Sequence, residues 1–332
     1  MEAAAGNDRA GMVGIVLVNW NGGENVRRSY ASLTAGDYRG WKLFIVDNAS
    51  EDDSVEMIRR EIPDAILIES GANLGFAGGC NIGIKRVLEM GLEYVFLLNS
   101  DARVLPNTVS ELVSASRRLD DKAILGSLVR YFPSGKVQYM GSRRSLESGR
   151  PHWYTETEDS ERLQQELIEG DFIFGAALFA PSELFRKVGL FDERFFLNFE
   201  ETDWCYRAAA SRIASYVVTK SVVQHIGSAS LGARTAPLQT YFLTRNRLLF
   251  YDKHGGLKHR LSAYLEVLRD LIGRIKRSAE AYPPFGRLDP STRALLCAIR
   301  DYGLRRFGDC PARVRELGNM ERASRDVQPA HD

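Results

Sequence analysis

Tyr94-Val95-Phe96-Leu97-Leu98-Asn99-Ser100-Asp101-Ala102 is the stretch that decides how this chain is read. Its apolar run, Tyr94 to Leu98, has the length and composition of a buried strand. Asn99 and Asp101 follow, two residues apart, and on an extended segment that spacing puts both on one side. A carbonyl oxygen beside a carboxylate suits a hard divalent cation that already carries phosphates. In open α/β sheets, ligands gather in the crevice outside the carboxyl ends of the strands. Alone, the same triplet also describes a strand followed by a capped helix, with Asp101 accepting from backbone N–H groups. Its weight comes from its surroundings.

The pattern repeats upstream. Val13 to Val18 is a first buried strand ending in Asn19-Trp20-Asn21-Gly22-Gly23, and an amphipathic helix follows from Glu24 to about Leu33. Lys42 to Val46 is a second strand ending in Asp47-Asn48-Ala49-Ser50, where Ser50 and Asp53 have the spacing of a helix N-cap arrangement. Ala65 to Glu69 is a third strand, and Asn73-Leu74-Gly75-Phe76-Ala77-Gly78-Gly79-Cys80-Asn81 opens a helix that reaches about Met90. Alternating strands and helices predict a mostly parallel central sheet covered on both faces. Asn, Asp and Gly also form turns for their own reasons. Three successive strand ends carrying them is a stronger signal than any one of them.

Beyond Pro106 a helix is predicted to about Leu119, then a strand over Ala123 to Val129. Phe132 to Glu169 is polar and weakly periodic, and reads as a hairpin or loop insertion able to cover a substrate. Within Phe172 to Ala180, the small residues Gly175 and Ala176 either let a ligand approach the backbone or allow tight packing. Glu200, Glu201 and Asp203 start a helix directly after the apolar residues Phe195, Phe196, Leu197 and Phe199. Carboxylates in a first helical turn are favoured by the helix dipole. An apolar setting also raises a carboxylate's pKa and makes it a better base.

His225 follows a short apolar strand, and Ser228, Ser230, Gly232 and Arg234 lie in a loop suited to folding over phosphates. Arg245-Asn246-Arg247 sits on a helical pattern whose simplest reading is a solvated basic face. Lys258 to Arg277 is amphipathic and basic, so it packs on the domain or lies on an anionic membrane surface. A Pro-containing linker from about Tyr282, a helix from Pro290 to about Phe307 and a polar tail complete the chain.

Lys+Arg 44 against Asp+Glu 43 lacks the basic excess that general nucleic-acid binding needs. Cys80, Cys205, Cys297 and Cys310 show neither a CxxC pair nor zinc spacing, which fits thiols in a reducing cytosol. Residues 1–11 have no apolar centre of a signal peptide, and no apolar stretch approaches the ~20 residues that span a bilayer.

The ordered set Val18-Asn19-Trp20-Asn21, Val46-Asp47-Asn48-Ala49-Ser50, Asn73 to Asn81, Leu98-Asn99-Ser100-Asp101, Phe191-Asp192-Glu193-Arg194 through Glu200-Glu201-Thr202-Asp203, and His225 resembles family 2 glycosyltransferases of the GT-A fold. Within them it is most similar to the bacterial rhamnosyltransferase subgroup. The resemblance covers about residues 12–250. It implies an α/β nucleotide-diphospho-sugar transferase domain over 12–250, with a nucleotide-binding half at 12–105 and an acceptor and catalytic half at 106–250. A helical C-terminal extension would occupy 257–308, with flexible tails at 1–11 and 315–332.

Position by position, the resemblance makes Asn19 and Asn21 part of the first nucleotide-binding strand end, and Asp47 the acid that reads the base. Asn73, Gly75 and Asn81 match the loop near ribose and diphosphate, while Asn48, Asn99 and Ser100 complete the nucleotide set. Asp101 matches the last acid of the metal-binding DxD motif, with Asn99 in place of the first. His225 matches a histidine that reaches the metal and diphosphate. Glu200 and Glu201 match the Glu-Asp pair whose second member is the catalytic base, with Asp203 beside them. Gly175, Ala176, Trp204, Arg245 and Arg247 are the candidate acceptor or diphosphate contacts. The implied cofactor is Mg2+ or Mn2+. The implied partners are a nucleotide-diphosphate sugar and a saccharide or lipid-linked saccharide. The implied location is cytoplasmic, with peripheral contact at the inner membrane through the basic helix. Nucleotidyl transfer is disfavoured because Asn19 to Glu24 holds no basic residue. A non-catalytic sugar-binding module is disfavoured by the intact acids at 101, 200, 201 and 203.

Overall fold

The computed structural model describes residues 11–144, 151–226, 235–281 and 288–318. Strand and helix alternate at first: β1 (Val13–Asn19), α1 (Gly23–Thr34), β2 (Trp41–Asp47), α2 (Ser54–Glu61), β3 (Ile66–Glu69), α3 (Gly75–Glu89) and β4 (Tyr94–Leu98). Then come β5 (Ala102–Val104), α4 (Thr108–Arg118), β6 (Ile124–Tyr131), β7 (Val137–Tyr139), β8 (Ser142–Arg144), β9 (Pro151–Trp153) and β10 (Leu167–Gly170). β11 (Ala177–Pro181), α5 (Ser182–Val188), α6 (Glu200–Ala210), β12 (Ser215–His225), α7 (Thr235–His254), α8 (Leu257–Ala281) and α9 (Pro290–Gly303) follow.

Two compact units divide these elements. The first comprises the described residues up to Asp192 together with 201–226. Its sheet runs β10-β12-β6-β11-β4-β1-β2-β3, with β5 on β12 and β7 on β6. β4, β1, β2 and β3 are parallel, so their carboxyl ends share one edge, and Asn19 stands in register with Asp47. β11 is antiparallel to both β4 and β6, which makes the sheet mixed beyond β4. Every residue of β4 is buried, as in a sheet covered on both faces. Glycine lets α3 settle onto this edge: a Cβ on Gly79 would stand 2.7 Å from Val18 Cγ1 and 3.2 Å from Asn48 Nδ2. The segment from Phe132 to Glu169 supplies β7, β8, β9 and most of β10, short strands separated by longer stretches outside any strand.

The second unit comprises described residues 193–200 and those from 235 onward. Tyr241 and Phe242 of α7 pack with Ala294 and Ala298 of α9. Residues 312–318 are also helical, and Val314 and Leu317 are buried in the same cluster. The ordered extension therefore passes residue 315, where a flexible tail was expected, because these two apolar side chains give it something to pack with.

Candidate active site

At the carboxyl ends of β1 and β2, polar side chains bond one another closely. Asn19 Nδ2 donates to Asp47 Oδ1 at 2.8 Å and to Ser50 Oγ at 3.0 Å. Asp47 Oδ2 accepts from the Ser50 N–H at 2.9 Å. Ser50 Oγ also accepts from the Asn21 N–H, and Asn21 Oδ1 accepts from the Glu51 N–H at 2.7 Å. Ser50 is thus no helix cap: α2 starts only at Ser54. Asn21 sits at φ 51°, a left-handed turn that asparagine tolerates. Asn48 Nδ2 donates to the Gly75 carbonyl at 2.8 Å, and Asn73 Oδ1 accepts from the Gly75 N–H at 2.9 Å. Asn19 Oδ1 and Asn48 Oδ1 remain buried without a hydrogen-bond partner among the described residues. An unsatisfied buried acceptor costs about 1–3 kcal/mol, so both oxygens favour an incoming donor group.

Past β4, Asp101 and His225 face each other while nearly fully buried. His225 Nε2 lies 3.0 Å from Asp101 Oδ1 and 3.1 Å from Asn99 Nδ2. The other ring nitrogen, Nδ1, lies 2.9 Å from Gln138 Oε1. An amide oxygen only accepts, so a proton belongs on Nδ1, and in the neutral ring Nε2 presents its lone pair. A lone pair and a carboxylate at this distance need a proton or a cation between them. Two donor atoms on adjacent corners of an octahedral ion with bonds of about 2.1 Å stand about 3 Å apart. The side chains present therefore fit a divalent cation. Phe174 lies edge-on to the imidazole at 5.9 Å.

Glu201 lies on the same edge. Asn99 N–H donates to the Ala176 carbonyl at 3.0 Å, which fixes Gly175 beside the end of β4. A Cβ on Gly175 would stand 3.7 Å from the Glu201 carboxyl carbon. Glu201 is 8% exposed, and its Oε2 has no hydrogen-bond partner among the described residues. Burial pushes its pKa up to about 7, partly countered by the backbone N–H groups of Glu201, Thr202 and Gly175. Asp47, Asp101 and Glu201 thus converge on one end of one sheet.

Other expected site residues are spent on structure. Asn81 bonds the Phe191 backbone with both ends of its amide, each at 3.0 Å. Asp203, fully buried, pairs with Arg207 at 3.0 Å, and Arg207 also holds the Val188 and Leu190 carbonyls. Trp204 is buried against Phe185 at 4.3 Å and donates to the Gly189 carbonyl, so it is core rather than an acceptor contact. Glu200 is buried, and Ser100 accepts at its carbonyl from Ser29.

Arg245 is fully buried in the second unit and donates to the Arg194 and Phe195 carbonyls. It is neither a solvated face nor a diphosphate contact. Asn246 donates to the carbonyls of Phe195, Leu197 and Asn198 at 2.7–2.9 Å. This clamp holds a loop in which Phe196, Asn198 and Phe199 all have positive φ. Arg247 pairs with Glu266 at 3.2 Å. Ser228, Ser230, Gly232 and Arg234 lie outside the described residues. The sequence marks Ser50 only as a helix-cap residue and does not mark Gln138 at all. Ser50 follows Asp47 closely in sequence, but nothing local marks Gln138.

Residues 14–188 match the family profile described as Glycosyl transferase family 2. An N-acetylglucosaminyl-diphospho-decaprenol L-rhamnosyltransferase of Mycobacterium tuberculosis is 27% identical over 73% of this chain and 85% of its own length. A dTDP-rhamnosyl transferase, RfbF, of Shigella flexneri is 23% identical over 72% of this chain and 79% of its own. Among solved structures, GalNAc-T7 with UDP, GalNAc and Mn2+ aligns with a TM-score of 0.59 at 14% identity, covering 96% of this chain and 58% of that one. The Pyrobaculum calidifontis mannosyltransferase PcManGT with GDP-Man and Mn2+ gives 0.54 at 13%, covering 88% and 87%. These likenesses identify the fold as GT-A.

Proposed function

The chain belongs to glycosyl transferase family 2, and on that premise we propose that it is an inverting, metal-dependent transferase whose first-choice donor is dTDP-rhamnose. Its acceptor is a saccharide or lipid-linked saccharide in cell-surface polysaccharide synthesis, and its compartment is the cytoplasm. The observation that carries this reading is the unpartnered, buried Glu201 Oε2 on the same strand-end edge as Asp101 and His225. The two rhamnosyltransferase relatives support the sugar. The four free cysteines suit a reducing compartment.

In this mechanism Asn19, Asp47 and Asn48 hold the nucleoside. Glu201 takes the proton of the acceptor hydroxyl. That oxygen bonds to the anomeric carbon as the carbon–phosphate-oxygen bond breaks, and the nucleoside diphosphate leaves with the bonding electrons. A single displacement inverts the anomeric centre. When bound by Asp101 and His225, Mg2+ or Mn2+ offsets the charge gathering on the leaving diphosphate.

Nucleoside diphosphate release from a panel of dTDP-, UDP- and GDP-sugars tests the assignment. Turnover with dTDP-rhamnose is the expected outcome, and turnover with a UDP-sugar would move the donor. Pyrophosphate release would indicate nucleotidyl transfer, and binding without turnover a non-catalytic module. A second test concerns Gln138, which holds the tautomer of His225. Gln138→Leu is expected to weaken Mn2+ binding by about 10- to 100-fold, read by calorimetric titration of the metal. Unchanged affinity would separate His225 from the metal.

A further inference from the structure

α8 exposes apolar side chains that a soluble helix ordinarily buries. Leu261, Leu265, Leu268, Ile272 and Ile275 are 42–54% exposed, and Leu257 at its start is 81% exposed. At 3.6 residues per turn these positions fall within an arc of about 80° between Leu257 and Ile275, so they form one stripe. The buried positions, Ala263 and Val267, point elsewhere on the helix.

Charge is arranged around the stripe. Lys258, Arg269 and Lys276 lie within about 40° of one margin. None of the three has an ion pair among the described residues. Between Leu257 and Ile275 the acids lie on the far side and are matched: Glu266 with Arg247 at 3.2 Å, Asp270 with Arg274 at 3.0 Å. The stripe is therefore edged by cations, with its anions turned away and neutralised. No helix among the described residues is long and apolar enough to cross a membrane. An apolar stripe with a basic margin suits lying in the headgroup layer of an anionic membrane, leucines inward and lysines at the phosphates.

We propose that the Leu257–Ile275 face of α8 docks this protein on an anionic lipid surface. The proposal extends the reading above by holding the enzyme where a lipid-linked acceptor resides. It is tested with no sugar donor present, so the two fail separately.

The full chain is sedimented with vesicles of phosphatidylcholine alone or mixed with phosphatidylglycerol, at low and high salt. Wild type is expected to bind the anionic vesicles at least about tenfold more strongly and to weaken as salt rises. Leu261→Glu/Leu268→Glu alters only outward side chains. It is expected to keep its circular dichroism spectrum and lose vesicle binding. Lys258→Glu/Arg269→Glu/Lys276→Glu is expected to lose the preference for anionic vesicles. Wild type remaining in the supernatant, or binding that survives Leu261→Glu/Leu268→Glu, overturns the proposal. So does a vesicle-free dimer, seen by light scattering, that the same double substitution converts to monomer, since the stripe would then belong to a second copy.

Discussion

Glu201→Gln is expected to lower turnover by roughly 10^2- to 10^4-fold while leaving donor affinity within about twofold of wild type. The amide keeps the size of the side chain and its place beside Gly175 but has no basic lone pair to accept the acceptor's proton. The same substitution makes a pH signature. With a folded pKa of about 7, Glu201 must lose its proton to act, so kcat/KM should rise with pH through about 7 and flatten above it. Stability moves the opposite way. The unfolded carboxyl releases its proton near the usual carboxylate value of 4.5 and the folded one near 7. The unfolded state therefore binds fewer protons across that window, and stability is lost as pH rises through it. The loss amounts to about 3 kcal/mol for a shift of this size. Glu201→Gln cannot ionise and escapes that loss. Relative to wild type it should gain stability between pH 5 and pH 8 in urea titrations. Near-normal turnover would remove Glu201 as the base, and a stability difference independent of pH would remove its raised pKa.

The strands were legible because a sheet buried on both faces writes itself as apolar runs, and Tyr94 to Leu98 is buried throughout. Their polar ends were legible too, because β1, β2 and β4 run parallel and the chain must leave each at the same edge. What escaped depends on partners distant in sequence. Arg245 and Asn246 have the composition of a basic helix face. Their burial follows from the carbonyls of residues 194–198, which need donors because that loop turns through positive φ. Trp204 and Asp203 sit among the acids of the candidate motif, yet one completes an aromatic stack and the other an ion pair with Arg207. Gln138 comes from an insertion without periodic signal. Its role exists only because β7 pairs with β6, which also pairs with β12, the strand that ends in His225.

Asp101→Ala is expected to abolish Mn2+-dependent tightening of nucleotide binding and to lower turnover by at least about 10^2-fold. The measurement is a dTDP titration with and without Mn2+, for wild type and variant. Two causes must be separated, because Asp101 and His225 are also a buried pair at 3.0 Å. If the pair were only structural, removing the carboxylate would leave an unsatisfied buried group and cost about 1–3 kcal/mol of stability. The residual affinity would then stay Mn2+-dependent. If Asp101 is a ligand, nucleotide affinity in metal-free buffer stays near wild type and the increment added by Mn2+ disappears. Asp101→Asn sharpens the distinction. It retains an oxygen and the side-chain volume, so a packing role would be largely rescued. The negative charge that attracts the cation is gone, so the metal increment would not be. Rescue of Mn2+-dependent binding by Asp101→Asn would assign the carboxylate to packing and leave the diphosphate without its counter-ion at this edge of the sheet.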